Sequence, residues 1–157
     1  MLRKRKSTRR GAVSVEFAFV APLFLIILFG VAQASQLLEV QNTLSSAAAE
    51  GGRIGATDRD ALPNDDETTT NDLVAREVRR FLNTRGVPAE DVTVKITPPG
   101  DPDTTLDLDS PANNNALFEV LVSIELEDLT SIQMLGAEEY SLKSSAVFRN
   151  AENHPGN

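Results

Sequence analysis

Glu16 stands at the mouth of a run otherwise fit for lipid, five residues after Gly11 and four after Ala12. In "GAVSVEFAFVAPLFLIILFGVA", residues 11–32, it is the only charged side chain. A carboxylate at the edge of an apolar span costs a few kcal/mol unless it is paired, so its presence asks for a partner. Cleavage after Gly11 would supply one. Ala12 would then carry a new α-amine with a pKa of about 8, mostly protonated near neutrality. Ala12 and Glu16 are i and i+4, so on a helix amine and carboxylate share a face. The same cut removes Arg3, Lys4, Arg5, Lys6, Arg9 and Arg10, the six basic residues that anchor this end to the cytoplasmic leaflet. One hydrolysis thus creates a charge partner for Glu16 and frees the helix to leave the bilayer. The plainer alternative is that Glu16 snorkels to the cytoplasmic headgroups.

Few other residues could do chemistry. The chain has no Cys, so thiolate chemistry and disulfides are excluded, and its single His, His154, lies in the tail "ENHPGN". A multi-His metal site and a His-based triad cannot be built from one chain. No glycine-rich phosphate loop or nucleophile signature is present. Asp101, Asp103, Asp107 and Asp109 in "GDPDTTLDLD" are hard oxygen donors of the kind that hold Ca²⁺, but their spacing is not that of an EF-hand loop. A solvated acidic loop is the default reading there, and likewise for Asp65, Asp66 and Glu67. The sequence therefore predicts a non-enzyme, with no catalytic, cofactor-binding or metal residues and no small-molecule substrate.

The element that positions Gly11 and Glu16 is long. Residues 17–38 contain no charge; 22 residues at about 1.5 Å each make roughly 33 Å, enough to cross a hydrocarbon core of about 30 Å. Four of the seven Phe sit in it, and the rest of the chain offers too little apolar surface to cover them. Basic residues on the N-terminal flank fix that flank in the cytoplasm and send the rest outward. The 157-residue chain has a net charge of −8, yet beyond its first ten residues only nine basic side chains face all 23 acidic ones. That balance argues against nucleic acid as a partner of the main domain. "AQA", residues 32–34, is a permissible signal-peptidase site, which leaves a secreted protein cut after Ala34 as a competing reading. Against it, Leu37, Val40, Leu44, Ala47 and Ala48 recur at helical spacing, so the helix is predicted to run on to about Glu50 and end at Gly51-Gly52. Its amphipathic outer half needs a surface, either the chain's own globular part or another subunit. Pro22 lies mid-helix, where it removes a hydrogen bond and predicts a kink.

Beyond Ala56, "TDRDALPNDDETTTND" reads as an acidic linker. "NDLVAREVRRFLNTRG" carries a helical stripe through Leu73, Val74, Val78, Phe81 and Leu82, with Asn71 as its cap and Gly86 and Pro88 as its stop. "DVTVKIT" alternates as a strand; "TTLDLD" reads as a short one. "NALFEVLVSIELED" alternates Phe118, Val120, Val122, Ile124 and Leu126, and "EEYSLKSSAVFRN" alternates Tyr140, Leu142, Ser144, Ala146 and Phe148. The predicted class is α+β: a long N-terminal transmembrane and amphipathic helix, then a small head with one helix packed on an antiparallel sheet. The predicted domains are a basic leader (1–11), the helix (12–56), the acidic linker (57–71), the head (72–150) and a tail (151–157).

The basic leader ending in Gly11, the Glu16-Phe17 pair, "FAFVAPLFLIILFG" and "AAAEGGRIGA" resemble the TadE-like family, minor pilins or pseudopilins of tight-adherence, Flp-type pilus systems, and more loosely the type IV prepilins. Where many relatives read roughly "REGAR", this chain reads "AEGGR". The resemblance implies that a membrane prepilin peptidase cuts between Gly11 and Ala12. It implies that Glu16, the fifth mature residue, serves assembly with Phe17, and that the helix bends or loosens at Pro22 during assembly. Implied partners are the membrane, other pilin-like subunits, the pilus or secretion machinery and the peptidase. The implied location is the cytoplasmic membrane, single-pass, with the head outside and the subunit in or at the tip of a pilus. An uncleaved single-pass protein with an extracytoplasmic binding head is the other alternative.

Overall fold

The computed structural model describes residues 9–58, 68–125 and 141–151. Two compact units divide the chain, Met1–Leu37 and Leu38–Asn157. A single helix, α1 (Arg9–Gly55), supplies the described part of the first unit and the opening of the second. It is unbroken through Pro22, and also through Gly51 and Gly52, where the sequence predicted its end.

The second unit is an α+β head. After α1 come α2 (Thr70–Thr84), β1 (Thr93–Thr97), a 3-10 turn at Pro111–Asn113, β2 (Leu117–Glu125) and β3 (Ser141–Arg149). The strands form one antiparallel sheet in the order β1-β2-β3. Its register sets Ile96 opposite Val120 and Phe118 opposite Phe148. The alternation in β2 has its consequence directly: Phe118, Val120, Val122 and Ile124 are all buried, while Leu117 and Glu125 are exposed. Leu126 and Tyr140 lie outside the described residues.

Two helical elements, where the sequence predicted one, cover that inner face. The outer half of α1 buries Leu44, Ala47 and Ala48 completely within the chain's own head, and α2 does the same with Val74, Val78 and Leu82. Burying a Val or Leu side chain is worth about 1.5–3 kcal/mol, so Leu44, Val74, Val78 and Leu82 are a large share of what holds the head together. The glycines at the end of α1 explain why the helix does not stop at them. A Cβ on Gly51 would stand 2.5 Å from a methyl of Val78, one on Gly52 2.1 Å from the Phe148 ring, and one on Gly55 2.9 Å from Phe118. They clear a close helix–sheet approach instead of capping.

The N-cap of α2 is Thr69, two residues before the expected Asn71. Thr69 and Asp72 form a reciprocal capping box: the Asp72 amide donates to Thr69 Oγ1, and the Thr69 amide donates to Asp72 Oδ2. Asn71 has other work. Its Nδ2 donates to the Leu106 carbonyl at 2.8 Å and its Oδ1 accepts from the Leu108 amide at 3.1 Å. The helix ends as expected, with Gly86 at φ +77, a conformation glycine adopts without steric cost.

Residues 104–109 are not the strand their alternation suggested. Leu106 and Leu108 are buried, but the segment is held by the Asn71 clamp and a single bond from the Leu106 amide to the Ile96 carbonyl. Buried Asn150 finishes the job, donating through Nδ2 to the carbonyls of Leu108 and Asn113 at 3.0 Å each.

Candidate processing and assembly site

Gly11 and Ala12 lie on α1, near the start of its described part. Glycine there weakens the helix by roughly 1 kcal/mol relative to alanine.

Glu16 follows on the same helix, exposed, one turn on from Ala12. By helical spacing Val13, Phe19 and Val20 are among its neighbours, all apolar. Phe17 is 69% exposed and Phe19 81%, and they open a series that continues through Phe24, Ile26 and Phe29. None of the apolar window of this helix is buried within the fold, and its length and composition suit a membrane crossing. Such a helix suits a single-pass membrane protein. Pro22 is inside it and leaves the Ala18 carbonyl without its i+4 amide. The structure thus brings Gly11, Ala12, Glu16, Phe17 and Pro22 onto one element.

The carboxylate cluster of the head does something else. Asp101 accepts from the Asp103 amide and, at 2.7 Å, from the Thr104 hydroxyl; the hydroxyl bond is the main cause holding its pKa below the ordinary carboxylate value. Asp107 accepts from the Asp109 amide. Asp109 reaches across to α2, accepting from the Thr70 amide at 2.7 Å and from its hydroxyl, where the helix dipole also favours a negative charge. Among the described residues no group of three or more carboxylate or imidazole side chains could hold a metal ion.

The uncovered apolar helix that opens at Gly11 and runs on into Gly51, Gly52 and Arg53 decides the comparison with known proteins. Residues 11–53 match the family of TadE-like proteins. No curated protein and no solved structure matches the chain. The TadE-like segment is the part of α1 from the Gly11–Ala12 bond to the end of the glycine pair. A TadE-like segment points to a protein associated with a tight-adherence pilus, in a family that is structural and not enzymatic. Within "AEGGR", Gly52 faces the Phe148 ring.

Two further features leave no trace in the sequence. Gly55 beneath Phe118 could have been found only with the sheet in hand. The Asp109 cap joins residues 39 apart, beyond any local pattern.

Proposed function

We propose that the chain is a minor pilin-like subunit of a tight-adherence pilus or secretion system. It is inserted in the cytoplasmic membrane through α1, is cut between Gly11 and Ala12 by a prepilin peptidase, and assembles through Glu16, Phe17 and the helix around Pro22. The observation that carries this reading is the TadE-like match, which opens at Gly11 on a helix whose apolar side chains have no cover within the fold. The six basic residues before the cut hold that end in the cytoplasm and place the head outside. The boundaries that follow are a leader of 1–11, an assembling helix of 12–56 and an extracytoplasmic head.

Cutting after Ala34 is disfavoured, because that bond lies within an unbroken helix whose later residues Leu44, Ala47 and Ala48 belong to the core. The N-terminus of the mature chain tests the proposal. Intact-mass and N-terminal peptide measurements on protein from its own host are expected to begin at Ala12, and Gly11→Leu is expected to retain Met1. A mature chain starting at Met1 or at Ser35 in the unmodified protein would overturn it.

A further inference from the structure

The core of the head is open along one margin. On β2 the inward side chains Phe118, Val120, Val122 and Ile124 are all buried, whereas their neighbours on β3, Leu142, Ser144, Ala146 and Phe148, are only half-buried. Strand β3 ends the order β1-β2-β3, so it has a second edge. The Asn150 amide donates to the Ala116 carbonyl at 2.8 Å, which makes these two a hydrogen-bonded pair one step beyond the ladder. From there bonded pairs alternate along the strands, so Phe148, Ala146, Ser144 and Leu142 turn their backbone groups towards β2. Ser141, Lys143, Ser145, Val147 and Arg149 turn theirs away, and no described residue bonds to those amides and carbonyls. The opposite edge of the sheet is handled differently, for on β1 the Ile96 carbonyl accepts from the Leu106 amide. The usual protections of an edge are also missing from β3. It is nine residues long, contains no Pro and keeps an unbroken register, and its charges, Lys143 and Arg149, stand on the exposed face.

We infer that β3 of one copy pairs antiparallel with β3 of a second copy, centred on Ser145, and joins the two sheets into one. The strand is complementary to itself in that register. Lys143 falls opposite Val147 of the other copy and Arg149 opposite Ser141, so no like charges meet. The aliphatic stem of Lys143 then covers Val147, which is 52% exposed in a single copy. On the inner face Leu142 meets Phe148 of the other copy and Ser144 meets Ala146, which closes the open margin of both cores. Every outward amide and carbonyl from Ser141 to Arg149 gains a partner, and strand addition takes its affinity from such main-chain bonds. The same surface serves both partners, so the contact is isologous and closes as a dimer. A membrane that holds copies near one another raises their effective concentration. The inference holds whether or not the leader is cut.

The test uses the full chain in detergent micelles, with dimerisation followed by sedimentation and the fold by circular dichroism. Wild type is expected to dimerise. Ser145→Pro removes an amide that points away from β2, so the fold should persist. Dimerisation should weaken at least about tenfold, since both copies lose a main-chain bond. Val147→Lys sets a cation opposite Lys143 of the other copy and should weaken dimerisation too. Adding Lys143→Glu should restore it, because each carboxylate then faces an ammonium group. The chain has no Cys, so an introduced one reports its own position. Ser145→Cys should crosslink to itself on mild oxidation, whereas Ser141→Cys, far from its own copy in this register, should not. Should Ser145→Pro fail to fold, the charge exchange and the crosslinks decide. Wild-type chains that stay monomeric, a folded Ser145→Pro variant that dimerises fully, a Lys143→Glu addition that restores nothing, or equal crosslinking at Ser141 and Ser145 would each overturn the inference.

Discussion

The ring of Phe148 on β3 lies 2.1 Å from where a Cβ on Gly52 of α1 would stand. Phe148 also stacks on Phe118, with ring centroids 6.2 Å apart, so it has little room to withdraw towards the sheet. The end of α1 is therefore fitted to the sheet to within one methyl group.

Gly52→Ala is expected to destabilise the head by about 1–3 kcal/mol, the usual cost of overpacking. In thermal melts of the full chain in micelles this should appear as a loss of several degrees, roughly 4–8 °C per kcal/mol for a domain of this size. Phe148→Leu should recover part of it when combined with Gly52→Ala, since the two sites are in contact and their effects are not additive. Strict additivity in that cycle would show that the two residues do not meet.

Asn71→Ala should cost about 1–3 kcal/mol, because it strips partners from the Leu106 carbonyl and the Leu108 amide at once. Asn71→Asp keeps the acceptor for the Leu108 amide and loses the donor, so it should fall between. Amide exchange at Leu108 should quicken in the alanine variant and stay slow in the aspartate one. Equal exchange in both would remove the clamp from the account.

Acid should loosen two turns in particular. The Thr69 hydroxyl first, and then its amide, hold Asp72 below the ordinary carboxylate pKa, and the Thr104 hydroxyl does the same to Asp101. A carboxylate with a depressed folded-state pKa stabilises the fold above its unfolded value of about 3.9 and loses that contribution as pH falls through the folded one. Thermal stability is therefore expected to drop as pH falls below about 4. Asp72→Asn should flatten the Asp72 share of that slope, and a slope unchanged in Asp72→Asn with Asp101→Asn would assign it elsewhere.

Glu16→Ala should be made, inserted and cut normally, yet fail to co-purify with its pilus or secretion complex. Glu16 lies past the proposed cut and outside the head, so neither cleavage nor folding should need it. A paired carboxylate losing its partner in an apolar layer costs on the order of a few kcal/mol, enough to exclude a subunit from an assembly. Glu16→Asp should recover incorporation only in part, through its shorter reach. Normal incorporation of the alanine variant would leave Glu16 a snorkelling charge.

The elements that could be read from the chain were those whose pattern is local. The uncharged run of α1 and the alternation of Phe118, Val120, Val122 and Ile124 each follow from one period, and both elements stand where expected. Gly51-Gly52 could not be resolved, because a glycine pair either ends a helix or clears a close approach, and the ring of Phe148 that decides between them is far away in sequence. Asn71 was the expected cap of α2, and the reciprocal bond between Asp72 and Thr69 places it at Thr69 instead. Leu106 and Leu108 alternate like a strand, but Asn71 takes the amide and carbonyl that a ladder would have used. Of the candidate site, the spacing of Gly11 and Glu16 was visible from the start, whereas the Asp109 cap on α2 arises only from tertiary structure.

The contact between Gly52 and Phe148 also sets the order of biogenesis. Residues 38–55 leave the ribosome directly behind the apolar segment, well before β3 is made. Until Ser141–Arg149 arrives, Leu44, Ala47 and Ala48 have an incomplete wall, and the loop that must close to supply it spans most of the chain. The nascent subunit therefore passes through a stage in which its helix is committed and its head is unfinished, with a sticky stripe on display. A holding factor acting during export would find its target there, and truncations that stop short of β3 should be cleared by quality-control proteases.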